Sequence, residues 1–184
     1  MLRLFVYGTL KRGFWNHDRF CRGVVTVEDA LVRGRLFETS SGIPVLEVPE
    51  EDILAVGTTN PFADVATCLR ADTHRQAQAH VTAGLFNPQS TIINPQYEGA
   101  PWGPVYGEVL TFDLPAPRLR QAGDPENRLP AIDRLEGFHP GGPCLYRRVL
   151  VPVQVNGGEF SAWLYVVGDR WTGSFKELTG GIWR

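Results

Sequence analysis

The chain of 184 residues, 43% apolar and 21% charged, has the make-up of an ordinary globular domain with a substantial core, and favours neither a disordered nor a membrane class. Its formal charge of −2 lacks the basic excess of a nucleic-acid binder and argues against such a partner. Cys21, Cys68 and Cys144 are odd in number and widely separated, without metal-ligand spacing, so reduced thiols in a cytoplasmic protein are expected.

In chain order, Leu2 to Tyr7 reads as a buried strand that stops at Gly8. Arg3, Lys11 and Arg12 interrupt the apolar residues there, so no secretory h-region is read, and no uncharged run of about 18 residues marks a membrane span. A short helix is expected at Asn16 to Cys21, then strands at Val24 to Glu38 and Ile43 to Val48. Within the first of these strands, Gly34 signals a bulge or a close backbone approach.

From about Glu50 to Pro104 the character changes to acids, a helix-like stretch and a Pro, Asn and Gly segment, so an insertion into a single domain spanning residues 1–184 is expected. Asn60 fits an N-cap, Pro61 the first helical position and Gly84 a stop. A strand follows at Val105 to Leu114. The next helix has Asp124 as N-cap, Pro125 at its first position, Leu129, Ile132 and Leu135 as its apolar face, and Gly137 as its stop. Strands at Tyr146 to Val155 and Phe160 to Gly168 complete the order. Strands, one well-signalled helix and more strands, without repeated βαβ spacing, predict an α+β (mixed α/β) fold with a largely antiparallel, barrel-like sheet and few helices.

Two stretches carry candidate chemistry. FVYGTLKRG is either a strand-to-loop turn with solvated Lys11 and Arg12, or a pocket of successive backbone N–H groups, assisted by the Thr9 hydroxyl, that receives a carboxylate or a developing oxyanion. Glu136 ends the predicted helix, where the partial negative charge of the terminus and Asp133 three residues earlier both disfavour its ionised form. Half-burial beside Leu135 and Phe138 would push its pKa up further, toward a group that transfers protons near neutral pH. The other reading has Glu136 in water or paired with Arg147 or Arg148.

Together, FVYGTLKRG, VRGRLFE (Val32 to Glu38), VYGEVLTFD (Val105 to Asp113), IDRLEGFHP (Ile132 to Pro140), YRRVLVPV (Tyr146 to Val153) and AWLYVV (Ala162 to Val167) resemble, in order, the γ-glutamylcyclotransferase family. The resemblance is to its AIG2-like branch, which includes γ-glutamylamine cyclotransferases, and spans most of the chain outside Glu50 to Pro104. It implies a small fold whose sheet curls toward a barrel. It further implies that Glu136, at the glutamate of an LDxxEG-type motif, is the general acid/base, and that Tyr7, Gly8, Thr9 and Leu10 bind the γ-glutamyl part. Tyr165 either lines the same pocket or is a buried structural tyrosine.

The implied reaction is an intramolecular aminolysis that releases 5-oxoproline and an amine from a small-molecule γ-glutamyl substrate, with no metal or cofactor. YGTLKRG points toward γ-glutamylamines or a γ-glutamyl-protected metabolite. The stretch Glu50 to Pro104, longer than the family core needs, would be a lid over the pocket or an outer decoration. Rival readings are a hydrolase, for which no GxSxG elbow occurs and the cysteines and histidines show no informative pattern, and a binding module of the same fold that has lost turnover. His17, His74, His80 and His139 lack familiar ligand spacing. A third reading is an interaction protein docking through the inserted segment.

Overall fold

The computed structural model describes residues 1–82, 102–113, 125–156 and 158–184. Strand β1 (Leu2–Val6) runs through the middle of the sheet, antiparallel to β5 (Gly103–Phe112) on one side and parallel to β7 (Gly158–Val167) on the other. β2 (Val24–Thr39) lies along the far side of β5, and β6 (Tyr146–Val155) along the far side of β7. Ala30 and Leu31 of β2 then pair with Val155 and Gln154 of β6. That contact joins the two flanks and partly closes the five strands into a barrel. β3 (Pro44–Glu47) and β8 (Phe175–Glu177) extend from the second half of β2, and β4 (Ala55–Val56) from β6.

Apart from β1 with β7, every pairing among the described strands is antiparallel. This is the sheet-dominated α+β architecture expected from the sequence. Gly34 marks a close approach, since a Cβ there would lie 2.5 Å from the Glu47 carbonyl oxygen. The register irregularity of β2 falls instead at Val24 and Thr26.

The central strands are buried on both faces, which is why β1 and β7 read as continuous apolar runs rather than alternating ones. Phe5, Tyr7, Val149, Val151, Ala162, Leu164 and Val166 share one cluster. Leu2, Leu4, Val6, Leu150, Trp163 and Tyr165 point the other way and join Val65, Leu129 and Ile132 of the helices. Among the described residues, no helix is long and apolar enough to cross a membrane.

Three α-helices are described: α1 (Trp15–Phe20), α2 (Pro61–Thr82) and α3 (Pro125–Glu136). Asn60 caps α2 as expected, its Oδ1 accepting from the Ala63 N–H at 3.2 Å, whereas Gly84 and Asp124 lie outside the described residues. Asp64, Cys68 and Asp72 fall four residues apart on one face of α2 and fasten it to β7. The Asp64 carbonyl accepts from Trp163 Nε1 at 3.3 Å, Cys68 Sγ donates to the Ser161 carbonyl at 3.3 Å, and Asp72 accepts from the Ser161 N–H at 2.7 Å. Asp72 also pairs with Arg3. Within the Glu50 to Pro104 stretch, β4 thus pairs with β6 and α2 packs on β7, while Gly103 and Pro104 begin β5.

α3 stops as the sequence predicts. Gly137 adopts φ +61°, its N–H donates to the Arg134 carbonyl at 3.3 Å, and the Phe138 N–H donates to the Asp133 carbonyl at 2.9 Å. This pair of bonds is a Schellman motif, whose left-handed residue glycine adopts without strain. It fixes Glu136 as the last residue of the helix.

Candidate active site

The parallel pairing of β1 with β7, in register at Leu4 and Trp163, brings the ends of both strands to one end of the barrel. There the Tyr7 hydroxyl donates to the Tyr165 carbonyl at 2.8 Å. The chain continues from Tyr7 into a tight loop, closed by the Lys11 N–H donating to the Gly8 carbonyl at 3.0 Å. Two side chains of α1 pin it: Asn16 Nδ2 donates to Thr9 Oγ1 at 2.7 Å, and His17 Nδ1 donates to the Leu10 carbonyl at 2.8 Å. The backbone N–H groups of Gly8, Thr9 and Leu10 have no hydrogen-bond partner among the described residues. Three successive free donors of this kind form a ready site for an anion or an oxyanion.

A cavity of about 330 Å³ opens at this end of the barrel, and Tyr7, Gly8, Thr9, Leu10, Glu136 and Tyr165 all line it. Its volume suits a small-molecule ligand. Among the described residues that line it, Glu136 is the one charged side chain. The Glu136 carboxylate has no hydrogen-bond or ion-pair partner among the described residues, and its pKa is pushed up to about 7, by burial first and by the neighbouring Asp133 carboxylate second. Both forces were expected from the sequence, and a carboxyl poised there can take and return a proton at neutral pH.

The pairing of Glu136 with Arg147 or Arg148 is not formed. Arg147 reaches Glu50 at 3.3 Å. Arg148, fully buried, lies between Asp64 and Asp133 and donates to the Thr58 carbonyl at 3.0 Å. Thr58 closes the cluster, donating to Asp64 through its N–H at 3.0 Å and its hydroxyl at 2.9 Å. The Tyr165 hydroxyl donates to Asp133 Oδ1 at 2.7 Å, so Tyr165 lines the cavity and also braces the residue beside Glu136. Burial raises the pKa of Tyr7, Tyr146 and Tyr165. All three hydroxyls stay protonated and are committed to protein acceptors, Tyr146 to the Pro44 carbonyl at 2.7 Å.

Asn16, Tyr146, Trp15, Trp171 and Trp183 also line the cavity and were not singled out from the sequence. Asn16 is 5% exposed, and its Oδ1 is a buried acceptor without a partner, as Trp171 Nε1 is a buried donor without one. Unsatisfied buried polar atoms in a cavity mark groups that a polar ligand can complete. Signals for these residues were weak: Asn16 lies in a helix of six residues, and Trp171 and Trp183 lie in a C-terminal stretch without periodicity. Among the described side chains of residues 50–82 none lines the cavity, and residues 83–101 of the proposed lid lie outside the described residues.

A family model for γ-glutamyl cyclotransferase, AIG2-like proteins matches residues 4–59 and 62–184. The chain belongs to that family. Membership in it supports a cyclotransferase-type activity in general, and the match runs through Glu50 to Pro104 apart from residues 60–61. No curated protein matches the chain. Among solved structures it is similar to YkqA from Bacillus subtilis, at 21% identity and a TM-score of 0.49 over 99% of this chain and 39% of that one. It is similar to PH0828 from Pyrococcus horikoshii at 16% identity and 0.48, over 100% and 90% of the two chains. An AIG2-like protein from Mus musculus matches at 18% identity and 0.44, over 94% and 80%. The chain thus spans about two fifths of the length of the Bacillus protein.

Proposed function

We propose that the protein is a γ-glutamylamine cyclotransferase that converts a γ-glutamyl amide into 5-oxoproline and a free amine. The observation that carries this reading is that the unpaired N–H groups of Gly8, Thr9 and Leu10 and the unpaired carboxyl of Glu136 line one cavity. The substrate's α-nitrogen attacks its own γ-carbonyl carbon, the new ring C–N bond forms, and the bond to the leaving amine breaks. Glu136 takes the proton from the attacking nitrogen and gives it to the leaving one, so no water is consumed and no redox change occurs.

The division of labour follows from the charges. Among the described residues no cationic side chain lines the cavity, so the loop N–H groups and the Thr9 hydroxyl receive the negative charge, whether the α-carboxylate or the carbonyl oxygen as it becomes an oxyanion. On general scales a positioned acid/base supplies about 10²- to 10⁴-fold, and an oxyanion donor about 10²- to 10³-fold. Holding the glutamyl chain bent over the loop lowers the barrel-end reaction's entropy cost further. Cys21, Cys68 and Cys144 are all free and buried, which supports a reducing, cytoplasmic setting.

The test is a panel of γ-glutamyl compounds assayed for 5-oxoproline, with Glu136→Gln alongside. Release from at least one amide, lost in Glu136→Gln, is expected. Undiminished turnover in the variant would overturn the role of Glu136, and silence across the panel would overturn the activity.

A further inference from the structure

The amide of Asn16 has one end engaged by the protein and the other empty. The residue is 5% exposed. Its Nδ2 donates to Thr9 Oγ1 at 2.7 Å, and the next residue, His17, donates to the Leu10 carbonyl at 2.8 Å. These two bonds fix the amide against the loop. Oδ1 is left buried without a hydrogen-bond partner, in a side chain that lines the cavity. A buried acceptor with no donor costs folding free energy, and an N–H group on a ligand removes that cost.

The polarity of the lining decides which part of a ligand goes there. The loop N–H groups are donors, as are Trp171 Nε1 and the Thr9 hydroxyl, whose oxygen already accepts from Asn16. They suit the oxygens of a γ-glutamyl compound. Asn16 Oδ1 and the Glu136 carboxylate are acceptors without a partner among the described residues, and they suit hydrogens carried on nitrogen. A primary amine has two N–H bonds and one lone pair, directed to the corners of a tetrahedron. With one N–H on Glu136 and the other on Asn16 Oδ1, the lone pair is left for the γ-carbonyl carbon. Held by Glu136 alone, the same nitrogen would turn about its bond to the α-carbon, and most orientations would point the lone pair away.

On the reading that this cavity is the cyclotransferase site, we propose that Asn16 Oδ1 receives the substrate's α-amino group and holds the attacking nitrogen with its lone pair toward the γ-carbonyl, while Glu136 exchanges the proton. The same contact makes the α-amino group a determinant of binding, apart from any turnover. A hydrogen bond from an ammonium to a buried acceptor corresponds to roughly a 10-fold gain in affinity.

The experiment compares γ-glutamylbutylamide with N-butylglutaramic acid, the same molecule without the α-amino group. Calorimetric titration of Glu136→Gln, used so that binding is read without turnover, should give the amino compound about 10-fold tighter binding. Asn16→Leu in that background should remove most of the difference by weakening the amino compound alone. Thr9→Val breaks the same Asn16 hydrogen bond but keeps Oδ1, and Asn16→Asp keeps an acceptor in place, so both should preserve the preference. With Glu136 intact, Asn16→Leu should lower kcat for 5-oxoproline release about 10-fold or more. Equal affinities for the two compounds, no binding of either, a preference untouched by Asn16→Leu, or one lost in Asn16→Asp would each overturn the role of Asn16, whatever the wild type releases. An Asn16-dependent preference in a protein whose wild type yields no 5-oxoproline would support the amine receptor and overturn the cyclotransferase reading instead.

Discussion

Replacing Glu136 with Gln separates the carboxyl's chemical role from its energetic one. In the folded protein its pKa stands at about 7, against an ordinary value of 4.5. Between those values the folded state holds a proton that the unfolded chain has released, so this group's contribution to stability is fullest below about pH 4.5 and is lost as the pH rises through about 7. At 1.36 kcal/mol per pKa unit the loss has an upper bound of about 3 kcal/mol, and solvent entering the cavity reduces it to about 1–2 kcal/mol. Gln keeps the shape without the charge. The variant should therefore match the wild type near pH 4.5 and exceed it at pH 8 by about 1–2 kcal/mol, each kcal/mol being about 2–4 °C of melting temperature in a chain of this length. Its 5-oxoproline release should fall about 10²- to 10⁴-fold. Urea or thermal unfolding at both pH values, run beside the activity assay, checks the pair of effects. A variant less stable than the wild type at pH 8, or a difference that does not vary with pH, would refute the claim that the fold strains this carboxylate.

Asp133→Asn removes the like charge that helps raise Glu136, so the acidic limb of the kcat/KM–pH profile should move to lower pH; an unmoved limb would leave burial as the sole cause. Arg148→Leu strips the cation from between Asp64 and Asp133 and should cost about 3–5 kcal/mol in urea unfolding, because two carboxylates lose their partner inside the protein. Gly8→Ala would put a Cβ 2.8 Å from Pro44 Cγ. It should displace the loop and lower kcat/KM about 10-fold or more with a change in unfolding free energy under about 1 kcal/mol, and wild-type kinetics in that variant would mean that loop position is unimportant.

Long elements with a strong local signal were legible in the sequence. β2 and β6 declare themselves by runs of β-branched residues, and α3 by an apolar spacing of three at Leu129, Ile132 and Leu135 with a glycine stop. What local signals could not supply was pairing. β4 has two residues and β8 three, and each exists because a longer strand offers free backbone groups. α2 was visible as a helix, yet the face that fixes it to β7 carries Asp64, Cys68 and Asp72, so no hydrophobic period announced the docking. Trp171 and Trp183 reach the cavity only because the C-terminal stretch folds back, with the Leu178 N–H donating to the Leu36 carbonyl at 2.8 Å and the Tyr106 N–H to the Gly181 carbonyl at 2.8 Å.

The site itself was half legible, and the missing half explains why the legible part works. The sequence places Asp133 one turn before Glu136 and so predicts repulsion, but an Asp133 that simply took up a proton would exert none. Burial first, and the Asp64 carboxylate after it, push Asp133 upward, and the Arg148 guanidinium and the Tyr165 hydroxyl act against them by favouring the ionised form. Arg148 is itself shared with Asp64. One guanidinium between two carboxylates leaves a formal excess of one negative charge in a largely buried cluster. Ionising Glu136 would add a second such charge beside it, which the low-dielectric surroundings resist. The proton is thereby kept available on the one carboxyl among the described residues that lines the cavity, and α2 reaches the cluster beside it through Asp64, which shares Arg148 with Asp133.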